Sequence, residues 1–282
     1  MATLRGARAH WWSWLAGLAL WCAGAGVAAA ATVAPLVLDA ETSSIPLSPR
    51  IAYRHDAGAA DGATEAFRRA EAGEFQPLPD GTPTFGFQEG AYWFYLPLVN
   101  RDAAEPRWLL VQEYALSDQV DLYLRYPDGR IEHASSGDHA PFNSRFIRYR
   151  YPNFRLDLPP GQRVEVLFRV QSESSMQVPL VLYTPKAFAE LMRDAQFSTG
   201  LYYGIVLALL FYNFVLWVML RDGGYFWYLL HTGAFGLVLF TLNGYGFEYF
   251  WPNSAWLADA SVPLSICLAL VGMQLFTRSF LE

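Results

Sequence analysis

Residues 201–220 (LYYGIVLALLFYNFVLWVML) run for twenty positions without a formal charge. At about 1.5 Å of rise per residue, a helix of that length spans about 30 Å, the hydrocarbon thickness of a bilayer. Two further apolar stretches follow, so membrane spans are expected at about 198–220, 225–243 and 260–277. Residues 31–190, in contrast, carry charges, prolines and short branched runs typical of a soluble β domain. A chain organised this way is expected to hold a domain outside the membrane, and to sense or transport rather than catalyse in free solution.

The N-terminus carries Arg5 and Arg8, then an apolar run from Trp11 to Val27, then Ala28-Ala29-Ala30. That is the grammar of a secretory signal peptide over residues 1–30, with cleavage near Ala30 or Ala31. An uncleaved anchor is the other reading, and both place the β domain outside the cytoplasm. Cys22 lies in the apolar run and Cys267 in the third span, so the β domain has no cysteine for a disulfide. The net charge is −6 and the only lysine is Lys186. No basic run of the kind that neutralises phosphate backbones is present, so no nucleic acid is expected as a partner.

Within the β domain, residues 64–72 suit a short surface helix with Thr64 as its cap. Strands are expected at 91–99, 108–112, 119–126, 131–134, 151–158, 163–170 and 176–183, with a first strand near 34–38. In 119–126, Val120, Leu122 and Leu124 alternate with Asp121, Tyr123 and Arg125, the period of a half-buried strand. Pro127-Asp128-Gly129 and Pro159-Pro160-Gly161 mark turns. A strand series without long helices between its members predicts an antiparallel, jelly-roll-like β-sandwich followed by transmembrane helices. Trp93, Leu122 and Leu124 are expected in its core.

Several short motifs keep a fixed order along the chain. In the β domain they are Tyr92-Trp93-Phe94 through Asn100, Gly137-Asp138 followed by Pro141-Phe142 and Arg145, and the Pro159-Pro160-Gly161 turn. In the membrane region they are Gly200-x-x-x-Gly204 leading into Tyr212-Asn213, then Arg221-Asp222, then Gly244 to Trp251-Pro252. Over about residues 35–282 the chain resembles the bacterial seven-transmembrane receptors with diverse intracellular signalling modules, of the second extracellular-domain type. The resemblance implies a multi-pass protein of the bacterial inner membrane with its N-terminal domain in the periplasm. It also implies a cytoplasmic output module, such as a diguanylate cyclase or a histidine kinase. Three spans stand here where the resembled family has seven, so the chain is expected to be a fragment or a truncated form of such a receptor. Tyr95 departs from the family pattern, in which a basic residue follows the Trp-aromatic pair.

The loop between spans two and three holds Tyr245, Phe247, Tyr249, Phe250, Trp251 and Trp256 but no Lys or Arg, whereas Arg221 and Arg278 flank the opposite ends. The positive-inside rule puts Arg221 and Arg278 in the cytoplasm and the aromatic loop outside. Gly200 and Gly204 have the spacing of a helix-packing motif, with a homodimer among the expected partners, although small residues are also simply common in membrane helices. Asn213, His231 and Gln274 lie at or near membrane depth, where each needs a hydrogen-bond partner. For His231 a structural hydrogen bond is expected rather than proton relay, because no intramembrane carboxylate accompanies it.

No nucleophile elbow, zinc-protease motif, phosphate loop or Cys/His cluster is present, so neither an enzyme nor a cofactor is expected. Asp138-His139 alone reads as a turn pair rather than a metal site. The ligand-binding candidates are Asp138, Arg145, Arg148 and Arg150 in the segment GDHAPFNSRFIRYRY. If that segment is a strand, Arg148 and Arg150 share one face and Tyr149 and Tyr151 the other. Guanidinium forks and aromatic faces suit a carbohydrate or a small organic anion, although exposed arginines often only pair with acidic neighbours. The expected function is a membrane sensory receptor whose β domain binds a small ligand. The alternative is a membrane-anchored carbohydrate-binding or transport-associated protein without a signalling role.

Overall fold

The structure, a computed structural model, describes residues 33–79 and 83–281. The expected signal peptide lies outside them. The strands are β1 (Leu36–Leu38), β2 (Ser44–Pro46), β3 (Ala52–Asp56), β4 (Gln76–Pro77), β5 (Thr84–Gly86), β6 (Ala91–Asn100) and β7 (Arg107–Gln112). They continue as β8 (Gln119–Arg125), β9 (Ile131–Ser136), β10 (Asn153–Asp157), β11 (Arg163–Gln171), β12 (Met176–Gln177) and β13 (Leu180–Tyr183). The helices are α1 (Ala63–Glu71), α2 (Pro185–Leu220), α3 (Gly223–Leu242) and α4 (Ala255–Leu281).

The large sheet has the order β4-β3-β6-β11-β8-β9 and the smaller one β10-β7-β13-β2. Their facing sides share one core, in which Phe94, Leu96, Leu122 and Phe168 meet Leu110, Leu156 and Leu182. Pairing is antiparallel except at β1, which runs parallel to the far end of β6 through Leu36 and Leu98. In β8 the expected alternation holds for Val120, Leu122 and Leu124, all buried in this core. Asp121, on the other face, is buried too; Arg169 pairs with its carboxylate (3.3 Å) and His133 Nε2 lies 3.1 Å from it.

β6 does not alternate, because both of its faces are covered. Tyr92, Phe94, Leu96 and Leu98 enter the core between the sheets. Trp93 and Tyr95 point the other way, onto Phe67 of α1. Trp93 is therefore buried as expected, but under the helix rather than inside the sandwich. α1 starts at Ala63 with Gly62 as its N-cap and no side-chain cap, so Thr64 sits within the first turn and caps nothing. Tyr95, where the resemblance implied a basic residue, donates from its hydroxyl to Glu165 (2.7 Å), and Arg125 supplies the positive charge to the same carboxylate (2.7 Å).

The outer face of the smaller sheet rests on the start of α2. Phe188 is fully buried there against Leu109, Val111 and Tyr149. Thr184 caps this helix by accepting from the Ala187 N–H (3.3 Å), and Pro185 at the first position suits a helix start. The amphipathic turn and the first span, expected as separate pieces, form one 36-residue helix, about 54 Å long at 1.5 Å per residue. No Gly or Pro stands between Lys186 and Thr199 to break it. α2, α3 and α4 are each long and apolar enough to cross a membrane. α3 and α4 pack closely through Ala234, Val238 and Ala269.

Candidate functional site

The loop after β9 carries the site. Gly137 has φ +128°, and a β-carbon there would collide with the Asp118 carbonyl, so only glycine lets residues 137–139 close onto 117–118. Asp138 N–H then donates to the Ser117 carbonyl (3.0 Å) and His139 N–H to that of Asp118 (3.1 Å). The Asp118 carboxylate is fixed by the Ser172 hydroxyl and the Glu173 N–H, each at 2.7 Å. Asp138 is only 4% exposed. Burial, with Asp118 beside it, pushes its carboxyl up to about 7. His139 lies at the surface and faces Asp259 near the start of α4.

Beside this floor opens a cleft of about 640 Å³ on the β domain. Its walls include Glu89, Gln119, His139, Gln171 and Glu173, and Phe87 stands at it with 79% of its surface exposed. Carboxylates, amides and an aromatic face line this cleft, and among the described residues no Arg or Lys does.

Past the cleft the chain does not form the strand considered within residues 137–151. Phe142–Ser144 make a 3-10 turn, residues 145–152 are irregular, and β10 begins only at Asn153. The Asn153 side chain pins this loop: Oδ1 accepts from the Ile147 N–H (2.8 Å), and Nδ2 donates to the carbonyls of Ile147 (2.8 Å) and Tyr151 (2.9 Å). Arg148 and Arg150 consequently do not share a face opposite two tyrosines. Arg148 is exposed, whereas Arg150 lies against the rings of Tyr149, Tyr151 and Tyr245.

The loop docks on the segment between α3 and α4. Phe142 N–H donates to the Pro252 carbonyl (2.9 Å), and the Phe142 and Phe247 rings meet edge to face at 5.6 Å. Arg145, taken from the sequence as a ligand contact, is buried instead, with its guanidinium 4.7 Å from the Phe142 ring and 5.4 Å from that of Phe247. Nη1 of Arg145 donates to the carbonyls of Tyr149 (2.9 Å) and Arg150 (2.6 Å). Burial pulls this guanidinium down to about 10, which leaves it charged at neutral pH. Arg150 Nη1 donates to the Tyr245 hydroxyl (2.8 Å), which donates to Thr199 Oγ1 of α2 (2.9 Å). Of the four candidate residues, Asp138 thus belongs to the floor by the cleft, Arg145 and Arg150 to the docking seam, and Arg148 to the surface.

A β-carbon at Gly200 or Gly204, both expected to pack helices, would meet nothing within 4 Å beyond its own helix among the described residues. The close approach is elsewhere, between Gly272 of α4 and His231 of α3. His231 Nδ1 lies 2.9 Å from the Ala269 carbonyl, a structural hydrogen bond. Sequence reasoning missed Asp118, Phe247, Gly272 and Asp259. Gly137 was the one local signal, since a glycine before an Asp-His pair marks a tight approach. Nothing local points to Asp259, 120 residues from His139.

Residues 48–184 match the family model described as 7TMR-DISM extracellular 2, and residues 195–282 match that described as 7TM diverse intracellular signalling. None of the curated proteins matches the chain. Among solved structures the chain is similar to the beta-glucuronidase of Faecalibacterium prausnitzii, at 11% identity and a TM-score of 0.28. That likeness covers 51% of this chain and 32% of the glucuronidase.

Proposed function

The chain belongs to the seven-transmembrane receptors with diverse intracellular signalling, a family of membrane sensory receptors, and from that premise we propose that its β domain is a ligand sensor acting on α3 and α4. The observation that carries this reading is the docked loop. Residues 137–139 form the floor beside the cleft, and Phe142, Arg145 and Arg150, a few residues on, are packed on the turn between α3 and α4. A ligand that closes the cleft differently in two helix arrangements shifts the balance between them by its difference in affinity.

The walls favour a neutral polyhydroxylated ligand. Glu89 and Glu173 accept from hydroxyls, the amides of Gln119 and Gln171 both donate and accept, and Phe87 offers a flat apolar face. The Glu89 and Glu173 carboxylates on the walls repel a carboxylate ligand, so carbohydrate is favoured over organic anion. The β domain lies in the periplasm and the helices in the bacterial inner membrane, and a cytoplasmic output module reads the helix rearrangement.

The test is a thermal-shift screen of the chain in detergent against mono- and oligosaccharides and organic acids. We expect a saccharide hit that Gln171→Ala and Glu173→Ala each weaken. A hit retained in full by both variants, or hits confined to organic acids, overturns the assignment to this cleft.

A further inference from the structure

Asp118, Asp138, His139 and Asp259 bring one ligand atom each to within 4.8 Å of one another. Three come from the β domain and the fourth from α4, so the cluster bridges the sandwich and a membrane helix. Three carboxylates converging at one point repel, and a buried group without a partner is costly. Yet Asp138, nine-tenths buried and more, leaves its Oδ1 without a hydrogen-bond partner among the described residues. Asp118 is held by Ser172 and Glu173, the kind of outer support that orients a metal ligand.

The His139–Asp259 geometry points the same way. Nε2 of His139 lies 3.4 Å from both carboxylate oxygens of Asp259. That is longer than a good hydrogen bond. It equals the roughly 3.4 Å that separates two donors of a tetrahedral ion bound at about 2.1 Å from each. One imidazole with three carboxylates suits a divalent transition metal better than calcium or magnesium, which take oxygen alone.

We infer that Asp118, Asp138, His139 and Asp259 form a binding site for a divalent transition-metal ion of the zinc type, which ties the β domain to α4. The ion would satisfy the lone Asp138 oxygen and offset the clustered negative charge. The inference does not rest on the saccharide reading: Asp118 and His139 also line the cleft, but the site follows from the convergence of four ligand atoms and the bridge to α4.

The test uses the full chain in detergent, with any affinity tag removed, stripped by chelator and titrated with zinc by calorimetry. Bound metal is counted by atomic emission after dialysis. We expect about one zinc per chain, with affinity falling about a hundredfold or more in Asp138→Asn and in Asp259→Asn. The exposed Asp259 position keeps the test valid where Asp138→Asn fails to fold, which circular dichroism reports. Arg148→Ala, outside the cluster, is expected to bind as wild type does. Absence of stoichiometric zinc on the wild-type chain, or unchanged affinity in Asp259→Asn, overturns the site.

Discussion

Phe142 of the sandwich and Phe247 of the α3–α4 turn stand edge to face, 5.6 Å apart, with the Arg145 guanidinium against both rings. Both rings are buried, so the contact is a shared piece of core between the β domain and the membrane helices. We predict that Phe142→Ala costs about 3–5 kcal/mol, the range for removing a buried aromatic ring. The midpoint of thermal unfolding in detergent, followed by tryptophan fluorescence, should fall accordingly. A midpoint equal to wild type would mean that the two parts are not packed together here.

Helix packing separates two sets of glycines. A β-carbon at Gly272 would lie 2.9 Å from the His231 Cα and N, whereas one at Gly200 or Gly204 would meet nothing within 4 Å beyond its own helix among the described residues. Gly272→Val should destabilise the α3–α4 pair by about 1–3 kcal/mol through overpacking. Gly200→Val and Gly204→Val should leave the melting of the monomeric chain within the error of the measurement. The reverse ranking would show that the helices pair through the α2 motif.

What the sequence made legible follows from how local each signal is. The alternation in β8 and the charge-free run in α2 are properties of neighbouring residues, and both predicted their elements. α1 was legible as a helix, but not as the cover that lets β6 be apolar on both faces, because that needs Phe67 to meet Trp93 across the sheet. The site was legible only in part. Arg145 reads as a surface cation until Phe247, a hundred residues on, is seen beside it. Gly200-x-x-x-Gly204 has the right spacing, but spacing does not say which face of a helix meets a neighbour.

The acid limb of stability should report Tyr95. Burial raises the Glu165 carboxyl, but the hydrogen bonds from Tyr95 and Arg125 outweigh burial and hold it below its usual value of 4.5. A depressed carboxylate adds stability above its unfolded pKa and loses it as pH falls through the folded one. Tyr95→Phe removes one donor, costs about 1 kcal/mol near neutral pH and moves the acid loss to higher pH. Midpoints measured between neutral pH and pH 3 check this; an acid limb superimposable on wild type would show that Tyr95 does not set it.

Topology follows from the charges. Arg221 and Arg278 lie at the ends of helices away from the aromatic turn, so Gly223 is predicted to be cytoplasmic and Asn253 periplasmic. Reporter fusions at the two positions should give opposite signals. Periplasmic activity at Gly223 would invert the assignment.

If the β domain signals to the membrane helices, occupancy of the cleft is felt at the turn between α3 and α4. Hydrogen–deuterium exchange of the full chain in nanodiscs, with and without a saccharide that stabilises it, measures this directly. Altered exchange is expected at the cleft and also in residues 244–254, with the second change lost in Phe247→Ala while binding persists. Altered exchange confined to the β domain of the wild-type chain would contradict it.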